Sequence, residues 1–313
     1  MIDTALILAA GRGSRLKEVT ATRSKAMAPI AGKPIVGRVI DSLREAGISR
    51  FIVIGAPHDT ELKQYCASLS GALFLVQEKP LGSGDALKSA AAHAPERFVV
   101  CACDSLIPST DIKALIAHHA PDALATLSII EVDPSVSLGA RSVVTVRDGR
   151  VTDFVEKPQE SERLSNLSSL PLYVLTKDIF TALERLGPSP RGEYELPEVF
   201  REYIRTGKVV HAVRASNRFD LTDQSDLLAL NELFLKELTP ACQVHPSVTI
   251  PPSAAIYPPV LIEEGATIGE NTIVGPLAYI ERNAVIEPGC TVSHTVVLRG
   301  ARITKDAKST VVV

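Results

Sequence analysis

The chain has 313 residues, enough for two domains at about 150 residues each, and its 45% apolar and 22% charged composition excludes wholesale disorder. Thirty-three basic against 36 acidic side chains give a net charge of −3, without the positive excess that a polyanion partner demands, so general nucleic-acid binding is disfavoured. With no Trp, six Tyr and eight Phe, base-stacking platforms, aromatic cages and membrane aromatic belts are disfavoured too. The five cysteines are odd in number and scattered, which fits a reducing cytoplasm. No stretch approaches the ~18 apolar residues of a membrane span, and the first residues lack the basic start of a signal peptide, so the expectation is a soluble protein that is not exported.

In chain order, an apolar strand over 4–10 runs straight into Gly11-Arg12-Gly13-Ser14-Arg15-Leu16. A glycine turn at the carboxyl end of the first strand of an α/β sheet is where backbone N–H groups approach phosphate oxygens. It is not a dinucleotide fingerprint, because Leu16 stands where the third glycine belongs, and the lysine of a P-loop is absent as well. Read by its glycines alone it is equally a plain tight turn. Arg15 and Lys25 flank a polar stretch without apolar periodicity, and cations beside a glycine turn suit a polyphosphate.

A helix follows over 34–47, opened by Pro34 and closed by Gly47. Strands are expected at 50–55, 72–76 and 97–102, with a helix at 83–93. Gln77 leaves the third strand and Asp104 ends the fourth. Taken singly, the first is a polar residue at a strand end and the second a turn or cap. Cys101 and Cys103 read as buried strand packing rather than half a metal site, since no second Cys or His pair lies at ligand spacing. A β-rich stretch spans 124–175, with a hairpin signal at Asp148-Gly149 before Glu156-Lys157-Pro158, and alone those two charges read as a surface ion pair. Helices at 193–206 and 222–238 complete an alternating pattern that implies a largely parallel sheet.

From residue 244 the period changes to six. Val244, Ile250, Ile256, Ile262, Ile268, Val274, Ile280, Ile286, Val292 and Leu298 recur without a gap, each followed four residues on by a small or apolar residue until Arg302. An amphipathic helix would repeat at about 3.6 instead. Stacked aliphatics with Gly and Pro corners are the signature of a parallel β-helix, and ten hexapeptides make about three coils. The expected division is 1–240 and 241–313, with repeats over 244–303 and a short tail after them.

The run 8–16 with Lys25 and then 28–35 resembles the signature of the sugar-1-phosphate nucleotidylyltransferases, and further matches follow in order through residue 238. That resemblance implies a Rossmann-like α/β nucleotidyltransferase domain with a mostly parallel central sheet, followed by a short left-handed parallel β-helix. It assigns the nucleotide to Leu8, Ala10, Gly11, Gly13, Gln77, Gly82 and Ser83, the pyrophosphate and phosphates to Arg15 and Lys25, and Mg²⁺ to Asp104 and Asp220. The sugar phosphate falls to Gly139, Glu156, Lys157 and Ser169, with Arg15, Lys25, Asp104 and Lys157 as the catalytic set. The implied reaction is Mg²⁺-dependent transfer of a nucleotidyl group from UTP or dTTP to a sugar 1-phosphate, giving an NDP-sugar and pyrophosphate. A homo-oligomer, as a trimer through the β-helix, is the implied assembly, with neither nucleic acid nor membrane as partner. Cys103, Ser169 and Pro171 depart from the family's glycine, asparagine and glycine, and Glu18 and Ser24 stand where proline is common. Those departures motivate an alternative, a non-catalytic regulatory or assembly subunit that senses a nucleotide. A further one is acyl transfer on the β-helix, where His245 and His294 are the only histidines.

Overall fold

Nine strands form one sheet: β1 (Thr4–Leu8), β2 (Arg50–Gly55), β3 (Ala72–Val76), β4 (Arg97–Ala102), β5 (Ala125–Glu131), β6 (Ser142–Arg147), β7 (Arg150–Glu156), β8 (Leu167–Thr176) and β9 (Val210–Arg214). Their order is β3-β2-β1-β4-β8-β5-β9-β7-β6, with β8 also touching β6. The computed structural model describes residues 2–11, 13–135, 141–159, 164–189 and 192–313. Two compact units divide them, one of residues 1–11 and 39–219 and one of residues 12–38 and 220–313.

In the first unit, the run β3-β2-β1-β4 is parallel, as the alternation of strands and helices predicts. Beyond it β8 lies antiparallel to both β4 and β5, while β9 and β5 are parallel. The Asp148-Gly149 hairpin joins β6 to β7 with both residues at positive φ, 51° and 75°, the conformation such a turn requires. The helices are α1 (Ile35–Glu45), α2 (Thr60–Ala67), α3 (Ser83–Lys88), α4 (Ser109–Ala117), α5 (Asp178–Arg185), α6 (Leu196–Arg205) and, in the second unit, α7 (Gln224–Lys236). Helix α3 stops five residues short of the expected 83–93. Past Lys88 the backbone tightens into turns whose N–H groups reach only three residues back, at Ala90, Ala91 and His93, while Ala90 and Ala94 stay in the core. That core is aliphatic with a few rings, among them Phe98 stacked on Phe180 and Tyr173 edge-on to Phe200.

In the second unit the hexapeptides stack. Cys242 pairs with Val260 and Val260 with Ala278, each 18 residues on, so three hexapeptides close one coil. The interior is the expected column of Ile262, Ile268, Val274, Ile280, Ile286 and Val292 with Ala266, Ala278, Ala284 and Cys290 between them. The last repeat is out of frame. Ala278 pairs with Thr295 and Val285 with Arg302, 17 residues on, so Val297 rather than Leu298 stacks over Ile280, and Ala301 and Ile303 enter the core. This one-residue shortening leaves Arg302 exposed, where the six-residue count had expected a small inward side chain. Nor do the residues after 303 form a tail, because Ala307–Val312 pairs in parallel with Thr291–Val297 and continues the stack. Asp223 caps α7 by accepting from the N–H groups of Ser225 and Asp226, and Asp226 accepts in return from the N–H of Asp223, a capping box.

Candidate active site

The sheet unit carries three groups of the expected residues. The first lies at the carboxyl ends of β1 and β4. The carbonyl of Leu8 accepts from the N–H of Cys103 at 3.1 Å, which ties the end of β1 to the turn that presents Asp104. Ala10 is half-buried and Gly11 exposed, with nothing within 4 Å of where a Cβ would sit, so packing does not demand a glycine there. Cys103, which replaces the family's glycine, is only 6% exposed, so its thiol packs within the protein. Burial first, and the charge of Asp104 second, push the Cys101 thiol up to about 12, so it acts as the small hydrophobe the strand pattern predicts. Among the described residues no cluster of three or more His, Cys, Asp or Glu side chains could cage a metal.

The second group is built around Gln77, which is 6% exposed. Its backbone N–H donates to Gly55 at 2.9 Å, while its side-chain Nε2 donates to the Gly82 carbonyl at 3.1 Å and to Asp85 at 2.8 Å. Both neighbours of Nε2 are acceptors, so the amide has one orientation and its Oε1 remains an acceptor. Gly82 has φ 107°, and a Cβ on it would lie 2.6 Å from the carbonyl oxygen of Tyr194, so this position requires glycine. Ser83, expected to touch nucleotide, does a structural job: its Oγ accepts from the N–H of Leu196 at 3.0 Å, at the start of α6. With Gly84 N–H bonded to Tyr194 at 2.7 Å, the loop that follows β3 is locked onto residues 193–196.

The third group is brought together by Ser142, which the sequence reading missed. Ser142 of β6 is the register partner of Glu156 in β7 and of Ser169 in β8, and its hydroxyl donates to the Glu156 carboxylate. Lys157 has φ 50°, its N–H donates to Arg141 at 2.9 Å, and its Nζ lies 3.8 Å from Glu156. The substitution at Pro171 falls where the β8–β5 register shifts, between Ser169 and Tyr173; a bulge tolerates a residue with no N–H to give the ladder. Tyr173 is 7% exposed, and burial first, with the charge of Glu156 second, raises its phenol well above the usual range. Gly139 lies outside the described residues.

The remaining expected residues belong to the second unit. Gly13 is left-handed, φ 61°, and a Cβ there would come within 3.0 Å of the Lys25 and Thr20 side chains. Its carbonyl accepts from Leu16 at 2.9 Å, closing a single turn that buries Leu16 and leaves Arg15 exposed. The positive charge of Arg15 is one of the causes that hold the Asp223 carboxyl below its ordinary range, behind that carboxylate's bonds to Ser225 and Asp226. Asp220 is half-buried just ahead of α7. In the β-helix, His245 bonds the Ser247 hydroxyl at 2.9 Å and His294 lies 3.0 Å from Glu232 on α7.

A mixed sheet that is parallel around its first strand, joined in one chain to hexapeptide coils, defines an α/β protein with an attached β-helix. Residues 4–237 match the nucleotidyl transferase family and residues 265–300 the bacterial transferase hexapeptide repeats; the chain belongs to the nucleotidyl transferase family. It is 31% identical over 235 residues to the bifunctional protein GlmU of Methanococcus maripaludis, 75% of this chain and 55% of that one, so it spans about half the length of that relative. To the UTP–glucose-1-phosphate uridylyltransferase AglF of Haloferax volcanii it is 29% identical over 244 residues, 76% of this chain and 99% of the relative. The solved structure of a UDP-glucose pyrophosphorylase complexed with UDP-glucose shares the fold, with a TM-score of 0.68 at 22% identity over 76% of this chain and all of the other. Among the described residues no helix is long and apolar enough to cross a membrane.

Proposed function

We propose that the protein transfers a uridylyl or thymidylyl group from UTP or dTTP to a sugar 1-phosphate, releasing pyrophosphate. The observation that carries this reading is the oriented amide of Gln77. With Nε2 committed to the Gly82 carbonyl and to Asp85, the side chain offers an acceptor, and in this reading the backbone N–H of Gly82 is the donor that goes with it. The imide edge of uracil or thymine needs that pair, an acceptor for its N3–H and a donor for its O4. Cytosine presents the reverse edge, so the same site turns it away by leaving two groups unpaired.

A sugar-phosphate oxygen attacks the α-phosphorus in line. The new P–O bond forms as the bond to the bridging oxygen of pyrophosphate breaks, and no enzyme nucleophile is needed. The chain's own work is charge neutralisation and alignment. Gly11 and Gly13 let the backbone approach the triphosphate, while Arg15 and Lys25 offset the charge that builds on the departing pyrophosphate. Glu156, steadied by Ser142, accepts from sugar hydroxyls, and Lys157 holds the sugar phosphate. Asp104 and Asp220 are the carboxylates assigned to Mg²⁺, which when bound would supply charge neutralisation on the phosphates. A hard ion that takes one or two carboxylates and completes its shell from phosphates and water fits a protein without a three-ligand cage among its described residues.

Pyrophosphate release from a panel of sugar 1-phosphates with UTP, dTTP and CTP tests this reading. Turnover with at least one sugar and the first two nucleotides is expected, and binding of nucleotide without turnover on any sugar would overturn it. For the β-helix we propose self-association as a trimer, supported by Tyr257 and Ile273, large apolar side chains that its coils leave 53% and 39% exposed. A molar mass by light scattering equal to the monomer would refute that assembly.

A further inference from the structure

Residues 18–32, which carry Arg23 and Lys25, are held from several sides by the β-helix and by α7. Arg23 is 8% exposed and meets Glu281 as a fork, with its two terminal nitrogens 2.6 and 2.9 Å from the two carboxylate oxygens. Glu281 is 4% exposed and sits on a corner of the β-helix, where its own N–H donates to Val297 at 2.8 Å and its Oε2 also accepts from the N–H of Arg299 at 2.7 Å. Arg299 in turn donates to the carbonyl of Thr22 at 2.6 Å. Asn231, fully buried in the middle of α7, accepts from the N–H of Ala31 at 2.7 Å and donates to the carbonyl of Pro29 at 3.0 Å. A Cβ on Gly32 would come within 3.0 Å of the Leu261 side chain, so the turn there is seated directly on a coil.

We infer that the β-helix is the frame of the cationic loop, and that Glu281, acting through Arg23, is a positioning residue that sets where Lys25 and Arg15 stand. Only the assignment of those two cations to phosphate rests on the function proposed above. The physical argument is the asymmetry of a buried ion pair. Two ions taken out of water contribute little net stability while they stay paired, but removing one strands the other in a medium that solvates it poorly. Such a pair therefore specifies geometry more than it adds stability. Arg23 lies two residues before Lys25, and Thr22 and Pro29 are gripped on either side, so the loop has few ways to relax without breaking the fork.

The test compares the wild type with Glu281→Gln, Arg23→Met and the double variant by tryptic cleavage after Lys17 and Lys25, sites that all four chains share, and by steady-state kinetics in each substrate. Glu281→Gln should speed cleavage of the loop at least ~10-fold and lower kcat/KM for the nucleotide at least ~10-fold, with KM for the sugar 1-phosphate within about twofold, because the stranded Arg23 charge drives the loop off its seat. Adding Arg23→Met removes that stranded charge and should recover most of both losses, which a general packing defect would not do. Should Glu281→Gln fail to fold, Glu281→Asp keeps the charge, shortens the reach and is expected to show the same split at smaller size. Unchanged cleavage overturns the clamp, and faster cleavage with unchanged nucleotide kinetics overturns its role in positioning. A wild type that turns over no sugar 1-phosphate fails the proposed function instead, and the cleavage comparison then decides the clamp by itself.

Discussion

Asp85 fixes which way the Gln77 amide faces: the carboxylate accepts from Nε2 at 2.8 Å, which commits the NH₂ within the protein and leaves the amide oxygen as the acceptor that the proposed function assigns to the base. Asn at position 85 could present its own NH₂ and accept a reversed Gln77, with only the Gly82 carbonyl resisting. Asp85→Asn should therefore narrow the preference for UTP over CTP in kcat/KM by about 10-fold, the ~1.4 kcal/mol expected for weakening one charge-assisted hydrogen bond. Competition kinetics with the two nucleotides would show it. An unchanged ratio would mean that Gly82 alone orients the amide.

Gly82 is held by geometry that no other residue satisfies. A methyl group there would collide with the Tyr194 carbonyl at 2.6 Å in a backbone with φ 107°. Gly149 also has a positive φ, 75°, but has nothing within 4 Å of the Cβ position. Gly82→Ala should cost more than backbone strain alone, about 2–4 kcal/mol, and Gly149→Ala about 1 kcal/mol. Urea unfolding of the two variants beside the wild type checks the order, and equal losses would count against the packing term.

What the sequence made legible was whatever has a period or a local motif. The hexapeptide column is visible because each inward residue must be aliphatic, and the glycine turn because Gly13 needs a left-handed backbone. The frame error at Leu298 has a physical origin: counting by six assumes constant coils, and the shortened last coil kept an apolar residue, Leu298, at the counted position while Val297 took the stack. Long-range pairs were not legible. Nothing near Arg23 marks Glu281, 258 residues on, as its partner, and Ser142 joins Glu156 to Ser169 only through strand register. The bond from the Leu196 N–H to the Ser83 hydroxyl, 113 residues apart, is equally invisible in the motif around Ser83.

Asp104 stands just past the end of β4 beside a turn tied to Leu8, a rigid mounting for the electrostatic role that the proposed function gives it. Asp104→Asn keeps the shape and removes the charge. Turnover should fall at least ~10²-fold with little change in melting temperature, the scale for losing a preorganised electrostatic partner. Full pyrophosphate release by this variant would sink the assignment of Asp104 to the catalytic set.

His119, just past the end of α4 and away from the candidate site, makes stability depend on pH. His119 shares a hydrogen bond with the buried hydroxyl of Thr126, 2.8 Å from Nδ1, while its Nε2 is buried without a partner. Burial first, then electrostatic repulsion from the basic side chains of Arg97 and His211, lower its pKa to about 4 from an ordinary value near 6.5. Between those two values the unfolded chain binds a proton that the folded chain refuses. The contribution of His119 is thus complete above about pH 6.5 and is lost progressively as the pH falls toward 4. The ring is only half-buried, so solvent screening holds the effect to about 1 kcal/mol. His119→Gln retains a partner for Thr126 but cannot titrate. Between pH 7 and pH 5 the wild type should lose about 1 kcal/mol more unfolding free energy in urea than His119→Gln does, and parallel losses would show that another group sets the acid sensitivity.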